Sequence, residues 1–293
     1  MRRRIGKLLK KARYLPGVGR IMRPVINHRI SKTVDEVTDH FFSHFSLVVA
    51  TSEQQRQVCY QTRHKVYCEE MQFEPCCADR IEQDDFDAYA ISCYITHKAT
   101  GDCAGTIRLV IPQTSEQVLP LEQVWSEAGH ASLSLSSSVG PYCELSRLAI
   151  PRRFRRRQSD CQFSAVAGKG DEATFKTLEP GRHFPYLSVA LYFLAACLCM
   201  QKGIEQVYVM MEPKLARRLK MLGVNFVQIG KPIQYRGIRA PYMLSVDEFQ
   251  AQIPVSLQRF QQRIMDYLQA TYEPALVDAL PRLASSFKSQ NAA

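Results

Sequence analysis

The chain reads as an α/β (α+β) protein built on a mixed, mostly antiparallel sheet with helices against it. Three observations predict this. Two apolar strands, "AYAISCYITH" and "CAGTIRLVI", flank the turn "KATGD", the pattern of a hairpin. A third strand, "YCELSRLAI", is followed by a helix over 184–202 that begins "FPYLSVALYFLAACLCM" and holds no charge in that stretch. The strand "VYVMM" over 206–211, a helix over 212–222 and the strands "NFVQI" and "PYMLSV" complete the series. Antiparallel strands followed by strand–helix–strand–helix–strand put a crossover helix on one face of the sheet.

Each element has its own local reason. Ser52 and Gln55 form a capping box for a helix running to about Glu70. Pro185 suits the first turn of the apolar helix and Gly203 its end, so a helix buried against a sheet accounts for a stretch almost long enough to span a bilayer. Residues 157–183 are polar and contain Gly and Ser, and read as a mobile insertion. Residues 254–293 read as a C-terminal helical extension, and 35–253 as the main domain.

Charge is unevenly placed. The net charge is +10 over 293 residues, yet residues 1–34 hold eleven Lys and Arg and no acid. The remaining 27 basic residues balance the 28 acidic ones, so the body is nearly neutral. Ile5, Leu8, Leu9 and Ala12 recur at helical spacing among the basic residues, giving a basic amphipathic arm. It suits peripheral contact of residues 1–15 with an anionic membrane, a solvated tail, or a non-specific nucleic-acid arm; no specific nucleic-acid recognition is expected. The ten Cys and seven His do not cluster at metal-ligand spacing. Reduced buried thiols and no metal site are therefore expected.

The informative residues are charges where a plain core needs none. Glu144 and Arg147 lie on the third strand, Arg108 lies inside "TIRLVI", and Arg63 lies on the first helix one turn before Tyr67. Glu82, Asp84, Asp85 and Asp87 precede the first hairpin strand. Burying such groups unpaired costs several kcal/mol, so an ion-pair network lining a cleft is the economical reading. A regular strand sends Glu144 and Arg147 to opposite faces; if both face the cleft, a bulge near Leu145–Ser146 is required.

Taken in order, Arg63-x-x-x-Tyr67, the acidic run Glu82 to Asp87, "GTIRLVIP" and Glu144-x-Ser146-Arg147 resemble the acyl-homoserine-lactone (autoinducer) synthases of the GNAT superfamily. The stretch from Phe184 to "YRGIRAPY" is more similar still to the exosortase-system-associated acyltransferases and long-chain N-acyl amino acid synthases of bacteria. The resemblance, over about residues 45–250, implies a GNAT-like sheet splayed at its centre. It also implies a cytoplasmic N-acyltransferase, at most associated with the inner face of the membrane. Such an enzyme moves a long acyl chain from an acyl carrier protein thioester to the amine of an amino acid or similar small molecule, with no bound cofactor. Glu144 is then the base. Asp84 and Asp87 position an ammonium group or pair with Arg63, Arg108 and Arg147. Tyr67, Phe73, Ser146, Met210 and Met211 contact substrate; Phe73 stands where the synthases carry an aromatic, usually Trp. In place of the Gly-rich phosphate loop of coenzyme A users stands "PRRFRRR". Arg152, Arg153, Arg155, Arg156 and Arg157 suit an acidic carrier protein and its phosphopantetheine phosphate, and Lys214, Arg217 and Arg218 extend the patch. The alternatives are a signal synthase using S-adenosylmethionine and a non-catalytic membrane or nucleic-acid binding module.

Overall fold

The computed structural model describes residues 35–36, 38–130, 133, 135, 140–155, 186–221 and 223–273. The basic arm, the insertion, Arg156 and Arg157 lie outside this set. Strand β1 (Phe45–Val49) leads into α1 (Glu53–His64). The Ser52 hydroxyl accepts from the Gln55 N–H at 3.3 Å, and the Gln55 side chain accepts from the Ser52 N–H at 3.2 Å. This is the expected capping box, and it satisfies two otherwise orphaned donors. The helix does not run on as an α-helix to Glu70: Lys65–Glu70 forms a π-helical turn. The wider turn changes the direction in which Tyr67 leaves the helix.

Strands β2 (Ala90–His97), β3 (Cys103–Val110) and β4 (Tyr142–Ala149) form an antiparallel run. Helix α2 (Pro120–Glu127) lies in the connection from β3 to β4. Next come α3 (Tyr186–Gln201), β5 (Gln206–Met211) and α4 (Pro213–Met221). Strands β6 (Val227–Gln228), β7 (Ile233–Gln234) and β8 (Ile238–Ser245) precede α5 (Val246–Gln252) and α6 (Val255–Thr271). The sheet order is β1-β2-β3-β4-β5-β8-β6, with β7 on β8. The strand read from "NFVQI" survives only as the two residues of β6. β1 and α2 carry too little periodicity of their own to be read from sequence.

The pairing of β4 with β5 is the sheet's parallel contact, and it covers only Tyr142–Glu144 against Gln206–Tyr208. Beyond Glu144 the two strands part, which is the splayed centre. One face of the sheet is covered by α3, whose Leu191, Leu194 and Leu198 join Ile107, Leu109 and Cys143 in the main core. Phe260, Ile264 and Leu268 of α6 belong to the same cluster, so the C-terminal helix is part of the core. Each such side chain contributes about 1.5–3 kcal/mol by leaving water. No described helix is long and apolar enough to cross a membrane. The burial of α3 against the sheet accounts for its composition.

The opposite face carries the network described below, with α2 closing one side. Gly230, between β6 and β7, sits where a Cβ would lie 2.6 Å from the Trp125 ring of α2 and 2.6 Å from Pro241. Only glycine lets the loop backbone approach that ring. Gly230→Val is therefore expected to push α2 away and cost about 1–3 kcal/mol, read as a lowered urea midpoint. An unchanged midpoint would show that the loop yields freely.

Candidate active site

The acidic run is placed by its own local structure. Asp84 caps the 3₁₀ turn Asp85–Tyr89, accepting from the Phe86 N–H at 3.1 Å, while Asp87 accepts from the Asp84 N–H at 2.9 Å. The same two carboxylates hold arginines from three other elements. Arg63 forks onto Asp87 with bonds of 2.7 and 3.0 Å and also binds Glu82. Arg108 binds Asp84, approaches Asp87 at 3.0 Å, and donates from Nε to the Ser146 hydroxyl at 3.1 Å. Arg147 donates to Glu82 and to Asp84, each at 2.9 Å.

Three guanidinium groups thus face three carboxylates. Burial works against charge at Asp87 and Glu82, but the adjacent arginines outweigh it and hold both carboxyls below the usual range. Burial likewise opposes the Arg63 charge, and Asp87 and Glu82 overcome it, keeping the group well above its ordinary value. The network pairs its charges, as buried charges require, although Arg108 Nη2 stays buried without a hydrogen-bond partner among the described residues. Its main carboxylates, Glu82 and Asp87, are each bound by two arginines.

A bulge brings Arg147 into this network. Thr106 pairs with Ala149 and Arg108 with Ser146, so two residues of β4, Arg147 and Leu148, oppose Ile107 alone. Arg147 takes a φ of +50°, in the left-handed region. The bulge lies one to two residues beyond the expected Leu145–Ser146 position. The reason is register: Leu145 still pairs with Leu109 and Ser146 with Arg108, and the irregularity falls where the strand must turn a guanidinium onto the face of Ser146.

Glu144 lies on that same face, opposite Val110 on β3 and beside Tyr208 on β5. It is 2% exposed and accepts from the Leu121 N–H of α2 at 2.7 Å. Burial pushes its carboxyl up to about 8, against the pull of the Leu121 N–H and of Arg108. It borders a polar pocket, with Tyr67, Phe73, Ser146, Arg147 and Met210 among the lining residues. The Tyr67 hydroxyl donates to the Leu148 carbonyl at 2.8 Å, bracing β4 beside the bulge. On the other face of the sheet, a second cavity is lined by Tyr192, Phe193, Ala196, Val207, Phe226 and other apolar groups. Leu145, at the start of the splay, borders both.

Not every expected residue reaches the pocket. Arg63, Asp84, Asp87 and Arg108 stand behind its wall as the network that holds β4. Met211 points to the opposite face, among Ala216, Leu219 and Tyr242, because it alternates with Met210 along β5. Within the basic segment, Arg153 pairs with Asp102 at 2.8 Å and Arg155 with Glu70, while the Arg152 N–H donates to Glu70 at 3.0 Å. Lys214, Arg217 and Arg218 are exposed along α4. Sequence reasoning missed Glu74, Tyr235, Arg236, Arg239 and the Leu121 N–H. The arginines of "YRGIRAPY" were visible, but nothing local ties them to a site some 90 residues earlier.

Residues 62–163 match the model of the acetyltransferase (GNAT) domain, a span that holds Arg63, Glu82, Asp84, Asp87, Arg108, Glu144 and Arg147. The splayed mixed sheet that contains this span is consistent with a GNAT-like fold. No curated protein matches the chain. Among solved structures it is similar to FeeM, described as an N-acyl amino acid synthase from uncultured soil microbes, at 13% identity over 73% of this chain and 97% of that one, with a TM-score of 0.49. It is also similar to the AHL synthase LasI, at 14% identity over 72% and 98% with a TM-score of 0.46. A third is TofI, in a complex with an inhibitor and MTA, at 18% identity over 80% and 99% with a TM-score of 0.48.

Proposed function

We propose that this chain transfers a long acyl chain from a carrier-protein thioester to the amine of an amino acid or similar small molecule. One observation carries the reading: a buried carboxyl, Glu144, stands at the splay between a polar pocket and an apolar cavity that share Leu145. The acyl chain occupies the apolar cavity, with its thioester carbonyl at the opening between β4 and β5. The amine enters from the polar side. Glu144, as carboxylate, takes a proton from the ammonium group; the nitrogen attacks the carbonyl carbon, the C–N bond forms, the C–S bond breaks, and the leaving thiolate takes up the second proton that the nitrogen sheds as it becomes the amide. A base that titrates near 8 is well matched to an amine at neutral pH. Backbone groups of the parted strands face the developing oxyanion. Tyr67, Phe73, Ser146 and Met210 shape the acceptor side.

A carrier-protein donor is supported by the arginines after β4 and by the exposed basic face of α4, which suit an acidic partner. Incubating the full chain with palmitoyl carrier protein, palmitoyl coenzyme A and a panel of amines, with mass spectrometry of the products, tests the reading. Acylated amine formed faster from the carrier protein supports it; donor hydrolysis without any acylated amine overturns it. Ala196 lines the apolar cavity. Ala196→Leu is expected to shorten the preferred acyl chain, since a close-packed site does not absorb the added bulk, and an unchanged chain-length profile would place the chain elsewhere.

A further inference from the structure

Among the described residues, one cation lining the polar pocket has no carboxylate paired with it. Arg147 is matched within the balanced network of three arginines and three carboxylates. Arg236, at the tip of the β7–β8 hairpin with a φ of +48°, is paired with Glu74. Arg239 also lines the pocket, but no ion pair reaches it among the described residues, and its Nε is buried without a hydrogen-bond partner. Its direction follows from register. Met210 pairs with Pro241, so Pro241 and, two residues away, Arg239 share the Met210 face of the sheet. Glu144 offers no standing counter-charge, because burial keeps it largely protonated at neutral pH.

A buried guanidinium donor left unmatched costs free energy unless a ligand completes it. We infer that Arg239 is the anchor for a carboxylate on the acceptor, and so selects amines that carry one. This rests on the acyl-transfer reading above and names the residue that sets its acceptor class. The guanidinium fork suits a planar carboxylate, and the salt bridge would form on the same side of the sheet as Glu144. A phosphate on the donor's pantetheine arm shares the anionic chemistry. The carboxylate is favoured because Arg239 lies on the polar acceptor side, while the arginines after β4 stand apart from this pocket.

The test compares the twenty standard amino acids with their α-amides, using the full chain and two donors: palmitoyl carrier protein and a palmitoyl thioester of N-acetylcysteamine, which has no phosphate. The wild type is expected to prefer the free carboxylate, and Arg239→Gln to reduce that preference roughly tenfold to a hundredfold with both donors. Arg239→Lys, which keeps charge but not the fork, should fall between them. Equal preference in wild type and Arg239→Gln overturns the anchor while leaving acyl transfer standing. So does an Arg239→Gln defect seen only with the phosphate-bearing donor. If no amine is acylated at all, acyl transfer itself fails. Calorimetric titration of the same amino acids then judges the anchor alone: binding that Arg239→Gln weakens keeps it, and binding that is absent or unaffected overturns it.

Discussion

Glu144→Gln is expected to lower kcat by roughly a hundredfold to ten-thousandfold, the usual worth of a positioned base, with little change in fold. The amide keeps the shape and can still accept from the Leu121 N–H through its oxygen. The pH dependence gives the stronger test. In the wild type, kcat at saturating acceptor should rise with pH and level off above about 8, as Glu144 loses its proton. The variant should lack that limb. Stability moves in the opposite sense. The folded carboxyl titrates above its unfolded value of 4.5, so the folded state binds the extra proton and wild-type stability declines as pH rises from there through about 8. The variant escapes this decline and should gain on the wild type in urea midpoints between pH 5 and pH 9. Wild-type kinetics flat across pH 8, or a variant as active as its parent, would remove Glu144 from the role of base.

Arg63→Met should be the most destabilising single change in the network, costing about 3–5 kcal/mol at neutral pH. Arg63 is 1% exposed and supplies three bonds to Asp87 and Glu82. Without it, two buried carboxylates keep only the partial compensation of Arg108 and Arg147. Both carboxyls have folded values held below their unfolded ones. Their contribution is therefore present above the unfolded carboxylate range and fades as pH falls toward the depressed folded values. In the variant those folded values rise, so the stability gap to wild type should narrow on acidification. Urea unfolding at pH 7 and pH 4 reads both effects. A gap below 1 kcal/mol at pH 7, or one that widens in acid, would mean that the network does not hold β4 in the way described.

How far the molecule could be read in advance differs from residue to residue. Ser52 and Gln55 disclosed their helix start because a capping box is a contact between neighbours. The hairpin strands and the apolar helix disclosed themselves by hydrophobic pattern, and Glu144, Arg108 and Arg147 by being charges in strands that otherwise bury apolar groups. α2 stayed hidden because its Leu121 N–H matters only once Glu144 is opposite it. The position of the bulge depended on which residues of β3 and β4 meet, a question of register that hydrophobic spacing leaves open.

By itself, then, the sequence determined the sheet-and-helix class, the order of the main elements and the fact that buried charges would have to find one another. Those properties rest on neighbours along the chain and on the cost of leaving a charge unpaired in a core. Tertiary structure alone decided which carboxylate each arginine takes, that Met210 faces the pocket while Met211 faces away, and that Arg239 arrives there with no ion pair among the described residues. Each of these depends on strand pairing between segments far apart in the chain, and one step of register would reverse it.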